Sequence, residues 1–271
     1  MLRVEMLAVG RELLIGRTLN TNARWMGKRL ALRGSQLAEI TTVDDDLGEI
    51  ASALRGCLER RPDYLVIVGG LGPTPDDMTL KGVSRGIGKG LRLSESALAM
   101  IREHYVKRNL GGMEMTPARK KMAVMPVGAS AVKNPLGTAP GVRLELRGTT
   151  VFCLPGVPSE MKSIFRESVE PEIRRRLGKL DREYVSMRLE GIYESALAPV
   201  IRNELRKHPS AYIKSHPRGI KEGKSRIELD VAVVSEVRGK ARKSVDQIVR
   251  EIREAIEPEG ATVIALREGQ P

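Results

Sequence analysis

The sequence predicts an α/β domain, a mostly parallel three-layer sheet with helices on both faces, followed by a small α+β domain of βαββαβ order. Three observations lead there. Leu65-Val66-Ile67-Val68 is a continuous apolar run, the pattern of a strand buried on both faces, and it enters a glycine turn that opens into a helix. Strand and helix patterns alternate from Arg3 to Ile87, as βαβ units do. Composition shifts at about 178–181, which divides the chain into an expected first domain at 1–178 and a second at 179–271.

Arg3–Val9 is strand-like and stops at Gly10. Asn22–Arg33 has helical spacing through Trp25, Met26, Leu30 and Ala31 and ends at Gly34, a normal C-terminal glycine. Leu37–Val43 reads as a second strand and delivers Asp44-Asp45-Asp46 at its carboxyl end. Leu47–Arg61 is amphipathic, and the central strand Leu65–Val68 leads to a helix at Thr79–Ile87. Right-handed crossovers bring the carboxyl ends of parallel strands to one sheet edge. Three polar loops therefore share a cleft: one with Glu12, Asn20 and Asn22, one with Asp44–Asp46, and Gly69–Asp77.

Ser94–Lys107 is a further helix, capped by Ser94; Arg108–Gly112 is a glycine-bearing loop, and Thr116-Pro117 opens a short helix to about Ala123. Met125–Gly128 reads as a turn and Lys133–Gly141 as a rigid Gly/Pro loop. Val142–Leu146 and Thr150–Leu154 form a hairpin across Arg147-Gly148, and the second strand runs through Pro155-Gly156 into a helix at Ser159–Leu177 with Ser159 as its cap. The second domain reads strand Tyr184–Leu189, helix Ser195–Lys207, strand Tyr212–Ser215, loop, strand Ile227–Val234, helix Arg238–Ala255 and strand Thr262–Ala265. That order matches an RNA-binding KH module in outline, but Gly219–Gly223 is one residue too long for the GxxG loop, so a packing or homodimer domain is expected.

Net charge is +12, with 25 basic against 19 acidic residues over 1–172 and 21 against 15 over 173–271. The spread favours polyanionic partners in general. Aromatic residues make up only 3%, too few for a base-stacking platform, so a phosphorylated small molecule fits better than nucleic acid. Cys57 and Cys153 read as buried free thiols. The start is charged throughout with no cleavage site, and no apolar run approaches the ~18 residues of a membrane span, which predicts a cytoplasmic chain. His104, His208 and His216 form no HxxxH spacing and read as structural or surface residues.

The segment Leu65–Thr79 carries the chemistry. Three glycines (Gly69, Gly70, Gly72) let backbone amides approach a ligand, Asp76 and Asp77 follow, and a helix begins at Thr79. Strand, glycine turn, acidic pair and helix start are the layout of a phosphate-plus-metal site; the competing reading is a tight turn whose aspartates cap a helix. The 134–141 loop offers Asn134, Gly137 and Thr138 as a second wall, and the strand–helix junction offers Gly156, Ser159 and Glu160.

These motifs resemble the MoaB/Mog molybdopterin-binding fold, and more closely its CinA-type branch. The matching strings are GRELLIGRTLNTN at 10–22, TTVDDD at 41–46, GGLGPTPDDMT at 69–79, NPLGTAPG at 134–141 and LPGVPSEM at 154–161, with GIYESALAPVI at 191–201 similar to the next CinA domain. The C-terminal deamidase domain that many CinA proteins carry is not expected. The resemblance implies a sheet-edge pocket for a nucleotide or pterin phosphate and two functional aspartates, which fall on Asp45 and Asp77. CinA-type proteins are associated with metal-dependent cleavage of ADP-ribose, the molybdopterin branch with Mg-ATP-dependent adenylylation of the pterin. Pro73-Thr74-Pro75-Asp76 stands where that second branch has a basic residue, which favours the CinA-like reading.

The expectation is thus a nucleotide pyrophosphatase. Asp77 and Asp45 are its catalytic residues and ligands of a divalent metal (Mg or Co). Gly69, Gly70, Leu71, Gly72, Thr74, Asn134, Gly137, Thr138, Gly156 and Ser159 hold phosphate or nucleotide, and Glu12, Asn20, Asn22, Asp76 and Glu160 are further substrate contacts. A pterin adenylyltransferase and a non-catalytic nucleotide-binding protein are the alternatives.

Overall fold

A computed structural model describes residues 2–31, 33–107, 114–178 and 180–268, with 265–268 described by backbone alone. The expected loop at Arg108–Gly112 lies outside the described residues. The chain divides into two compact units, Met1–Ala31 with Ser35–Leu177, and Leu32–Gly34 with Gly178–Pro271.

In the first unit, β1 (Arg3–Val9) leads through the one-turn α1 (Arg11–Leu14) to α2 (Thr21–Ala31), β2 (Gln36–Val43), α3 (Leu47–Glu59), β3 (Tyr64–Val68) and α4 (Thr79–Ile87). A short ribbon strand β4 (Leu91–Leu93) precedes α5 (Glu95–Lys107) and α6 (Pro117–Lys121), and its partner β5 (Val124–Pro126) follows them. Then come β6 (Ser130–Val132), β7 (Gly141–Leu146), β8 (Thr149–Leu154), α7 (Pro158–Ile164), a wide π-helical turn at Phe165–Val169 and α8 (Glu170–Leu177). The six-stranded sheet has the order β2-β1-β3-β8-β7-β6, and only β7 runs against the rest.

Alternation along the central strands builds the layers. Leu7 and Val9 of β1, and Leu65 and Ile67 of β3, pack with Ile50, Leu54 and Val83 on one face. Met6 and Ala8, with Tyr64 and Val66, pack with Met26, Leu30 and Phe165 on the other. Glu5 interrupts this apolar pattern. It is fully buried, and it takes hydrogen bonds from Arg60 Nε at 3.0 Å and Nη2 at 2.7 Å and from Arg3 Nε at 3.1 Å. Cys57 and Cys153 are buried free thiols, and burial alone pushes the Cys153 thiol up to about 12.

Three sequence readings need correction. Met125 and Pro126 belong to β5, not to a turn, because Val124–Pro126 pairs antiparallel with Leu91–Leu93. Ser159 does not cap α7: the cap position is Val157, Pro158 takes the first helical position, and no side chain closes that end. In the second unit, the strands extend across the expected loop as a long hairpin turning at Glu222-Gly223.

That second unit runs β9 (Asp181–Glu190), α9 (Glu194–Lys207), β10 (Ala211–Lys221), β11 (Lys224–Ser235), α10 (Lys240–Ile256) and β12 (Thr262–Glu268). Its sheet is antiparallel, in the order β10-β11-β9-β12. Met187, Leu189, Leu229 and Val231 form one core with Leu197 of α9 and Val245, Ile248 and Ile252 of α10.

Candidate functional site

The first sheet has its topological switch between β1 and β3, since the chain passes from β1 outward to β2 and then back to β3 and on to β8. Ligands of open α/β sheets bind outside the carboxyl ends of strands at such a point. The loops there are pinned to the ladder. Gly10 N donates to Val43 O at 3.1 Å and Gly69 N to Leu154 O at 3.0 Å, each one residue beyond its strand. Gly69 has φ +114°, and a β-carbon there would overlap the Val9 carbonyl oxygen. The turn then locks onto the start of α4, with Thr79 Oγ1 donating to Gly69 O at 2.7 Å and Thr79 N to Gly70 O at 3.2 Å.

A cavity of about 300 Å³ opens at this point, lined among others by Glu12, Asn22, Asp45, Gly69, Gly70, Asp76, Asp77 and Gly156. Two further hollows adjoin it. One, with Leu71, Leu80, Lys81, Lys120 and Lys121, and another, with Tyr105, Thr138, Pro155 and Glu160, both share Gly70, Gly72 and Asp77 with each other. Asp77 thus borders all three. Its Oδ2 takes hydrogen bonds from the Thr74 amide at 2.8 Å and hydroxyl at 2.6 Å, which fixes the carboxylate and leaves Oδ1 for a ligand. Gly72 makes room for it, since a β-carbon there would lie 2.6 Å from Asp77 Oδ2.

The three aspartates after β2 divide their work. Asp46 caps α3, accepting from Gly48 N at 2.7 Å and Glu49 N at 3.0 Å, and those bonds hold its carboxyl below the usual range. Asp44 pairs with Arg11 Nε at 3.0 Å. Asp45 faces the cavity, with Oδ2 taking the Arg11 amide at 3.0 Å. Its pKa is raised, first by burial and then by Glu12, Asp44 and Asp76, against the lowering effect of the Arg11 N–H. A raised folded-state pKa means that ionising Asp45 costs stability, and the cost is present above the folded pKa and absent below the unfolded one. Asp45→Asn is therefore expected to raise the melting temperature of the metal-free protein at pH 7 and to leave it nearly unchanged in acid below the carboxylate range. Thermal melts across pH check both.

The remaining predicted residues separate by neighbourhood. Asn20 caps α2, taking the Ala23 amide at 2.9 Å. Asn22 is buried and donates from Nδ2 to Gly156 O at 2.8 Å, while its Oδ1 is buried with no hydrogen-bond partner among the described residues. Such an acceptor beside a cavity invites a ligand or water donor. Asn134 is the keystone of its loop. Its Oδ1 takes the amides of Leu136 at 3.2 Å and Gly137 at 2.9 Å, and its Nδ2 donates to Ala139 O at 2.8 Å and Glu160 Oε2 at 2.7 Å. Gly137 leaves the space that the Glu160 carboxylate fills. Thr138 lines the third hollow, and Ser159 lines none of the three.

Sequence reasoning missed two contributors. Lys121 donates to the Thr74 carbonyl beside Asp77, and burial pushes its ammonium pKa down against the pull of that aspartate. The run Arg119-Lys120-Lys121 on α6 was the available signal, but α6 reaches Thr74 only in the fold. The other is the Arg11 amide, a backbone group that no residue pattern marks.

A family model described as a probable molybdopterin binding domain matches residues 5–175. The chain belongs to this family. A family relative from Aeropyrum pernix is 40% identical over 256 residues, 93% of this chain and 94% of its own length. One from Pyrococcus furiosus is 46% identical over 173 residues, covering 62% of this chain and 69% of that protein. Among solved structures, CinA from Thermoplasma acidophilum, described as of unknown function, is 44% identical with a TM-score of 0.58 and covers 63% of this chain and 97% of its own. The family match contains every candidate residue named above, and likeness to the Aeropyrum protein continues through most of the second unit. No helix among the described residues is long and apolar enough to cross a membrane.

Proposed function

We propose that the first unit is a metal-dependent pyrophosphatase acting on a nucleoside-diphosphate compound such as ADP-ribose. The observation that carries this reading is the convergence of Asp45 and Asp77 with the Gly69-Gly70 turn in one cavity at the sheet's switch point. The donor set fits a divalent ion. Glu12, Asp45, Asp76 and Asp77 supply carboxylate oxygens alone, the ligand type that magnesium prefers, and two of them suffice because magnesium keeps several waters. When bound, such an ion neutralises phosphate charge and acidifies water.

The chain's own residues do the rest. Amides of the Gly70–Gly72 turn, beyond the Gly69 N–H that is tied to the sheet, hold phosphate oxygens, and Asn22 Oδ1 takes a sugar or water hydroxyl. Asp77, fixed through Oδ2 by Thr74, presents Oδ1 to the ion. Asp45, whose carboxyl burial has made more basic, orients the attacking water and takes its proton at Oδ1. Water adds to one phosphorus, the bridging P–O bond breaks, and AMP and ribose 5-phosphate leave.

Incubating the protein with ADP-ribose and Mg²⁺ or Co²⁺ is expected to release AMP, to stop with chelator, and to fall at least about 10²-fold in Asp77→Asn of native melting temperature. Absence of turnover with any of these metals, beside tight binding of a pterin, would overturn the pyrophosphatase reading. A homo-oligomer remains part of the proposal, and sedimentation measures it.

A further inference from the structure

The second unit holds a cluster of a different kind. Glu204 lies in the last turn of α9, His208 is the residue that ends that helix four positions on, and Glu251 of α10 comes up beside them. One ligand-capable atom from each lies within 4.8 Å of the other two. Glu204 is only 2% exposed. Its Oε1 takes the Lys207 ammonium at 3.0 Å, but its Oε2 is buried with no hydrogen-bond partner among the described residues, and so is His208 Nε2. A buried carboxylate oxygen and a buried imidazole nitrogen, both unpartnered and on side chains of one cluster, are costly to keep without a shared cation or proton. Glu251 is a third donor held in place from both sides: Oε2 takes the Lys207 ammonium at 2.5 Å and Oε1 the Gln247 amide at 2.7 Å. A surface hollow of about 750 Å³ borders Glu204 and Glu251 and gives access from solvent.

We propose that Glu204, His208 and Glu251 form a divalent transition-metal site, separate from the carboxylate cavity of the first unit and independent of its assigned chemistry. One imidazole with two carboxylates suits Zn²⁺, Co²⁺ or Mn²⁺, whereas magnesium disfavours the nitrogen ligand. The ExxxH spacing places its two ligands as HxxxH would, with a carboxylate in the first position, which is why a search for paired histidines passes over it. Glu204 Oε2 and His208 Nε2 accept the ion without giving up a bond. Glu251 shares an oxygen between the ion and Lys207, whose ammonium keeps the two carboxylates together in its absence.

The test titrates untagged full-length protein with Zn²⁺ against a chelating dye, in the native chain and in Asp45→Asn/Asp77→Asn, which removes the other acidic site. One Zn²⁺ per chain is expected to persist in the double variant. Added to that background, His208→Ala, at a partly buried position just past the end of α9, and Glu204→Gln, nearly isosteric, should each weaken binding at least tenfold in protein of native melting temperature. Co²⁺ should give visible absorption bands that His208→Ala removes, and Zn²⁺ should raise the melting temperature only where His208 is present. Loss of all Zn²⁺ in Asp45→Asn/Asp77→Asn, or affinity in the His208 and Glu204 variants unchanged from that background, overturns the proposal.

Discussion

Gly69→Ala is expected to destabilise the first unit by roughly 3–5 kcal/mol, seen as a lower urea midpoint with an unchanged slope. Its φ of +114° is closed to an L side chain, and the added methyl would meet the Val9 carbonyl oxygen. That oxygen is backbone of the neighbouring strand β1, so no rotamer relieves the clash. Gly72→Ala makes the contrasting case. Its methyl would meet only the Asp77 carboxylate, 2.6 Å away, a side-chain group that can swing aside at the cost of its Thr74 bonds. Stability should then change by less than about 1 kcal/mol. AMP release should fall nearly as far as in Asp77→Asn, because the displaced carboxylate loses its Thr74 bonds. If both variants lose stability equally, the turn's shape and not the position of Asp77 governs this loop.

Arg60→Met should cost about 3–5 kcal/mol, since it leaves the buried Glu5 carboxylate without its two-bond partner. Arg3 still reaches Glu5, but Arg3 is half-exposed and supplies the weaker share. Replacing both partners, as Glu5→Leu/Arg60→Met, should return most of that stability, because the desolvated charge goes with its partner. Urea titrations of the single and double variants measure the coupling. A double variant no more stable than Arg60→Met alone would show that the pair is needed for something besides its own neutralisation.

Much of this fold is legible in the sequence because its signals are local and repeated. The run Leu65–Val68 with its glycine exit, and the amphipathic spacing of Leu47, Ile50, Leu54 and Leu58, mark a central strand and a covering helix without reference to anything distant. The three-residue strands at Leu91, Val124 and Ser130 are too short for a period to show and exist only through their partners. The candidate site divides the same way. Asp45, Asp77 and the glycine turn could be placed at one sheet edge from sequence because each loop leaves the carboxyl end of a parallel strand, the half-exposed edge strand β2 or the buried β3. Asn20, Asp46 and Asn134 look identical in sequence to ligand contacts, since the carboxylates and amides that bind phosphates and metals also cap helices and brace turns. Which job each does depends on whether a backbone amide lies within reach. Lys121 was invisible for the opposite reason, as it arrives from forty-seven residues away.

The amides of Gly10 and Gly69, each bonded one step beyond its strand, leave no slack between scaffold and chemistry. Loss of the proposed activity on heating should then coincide with melting of the sheet, with no earlier inactivation while the fold persists. Preservatives of the fold, from salt to tight core packing, would preserve turnover to the same temperature. Evolution in hot surroundings would need to harden one object, not two.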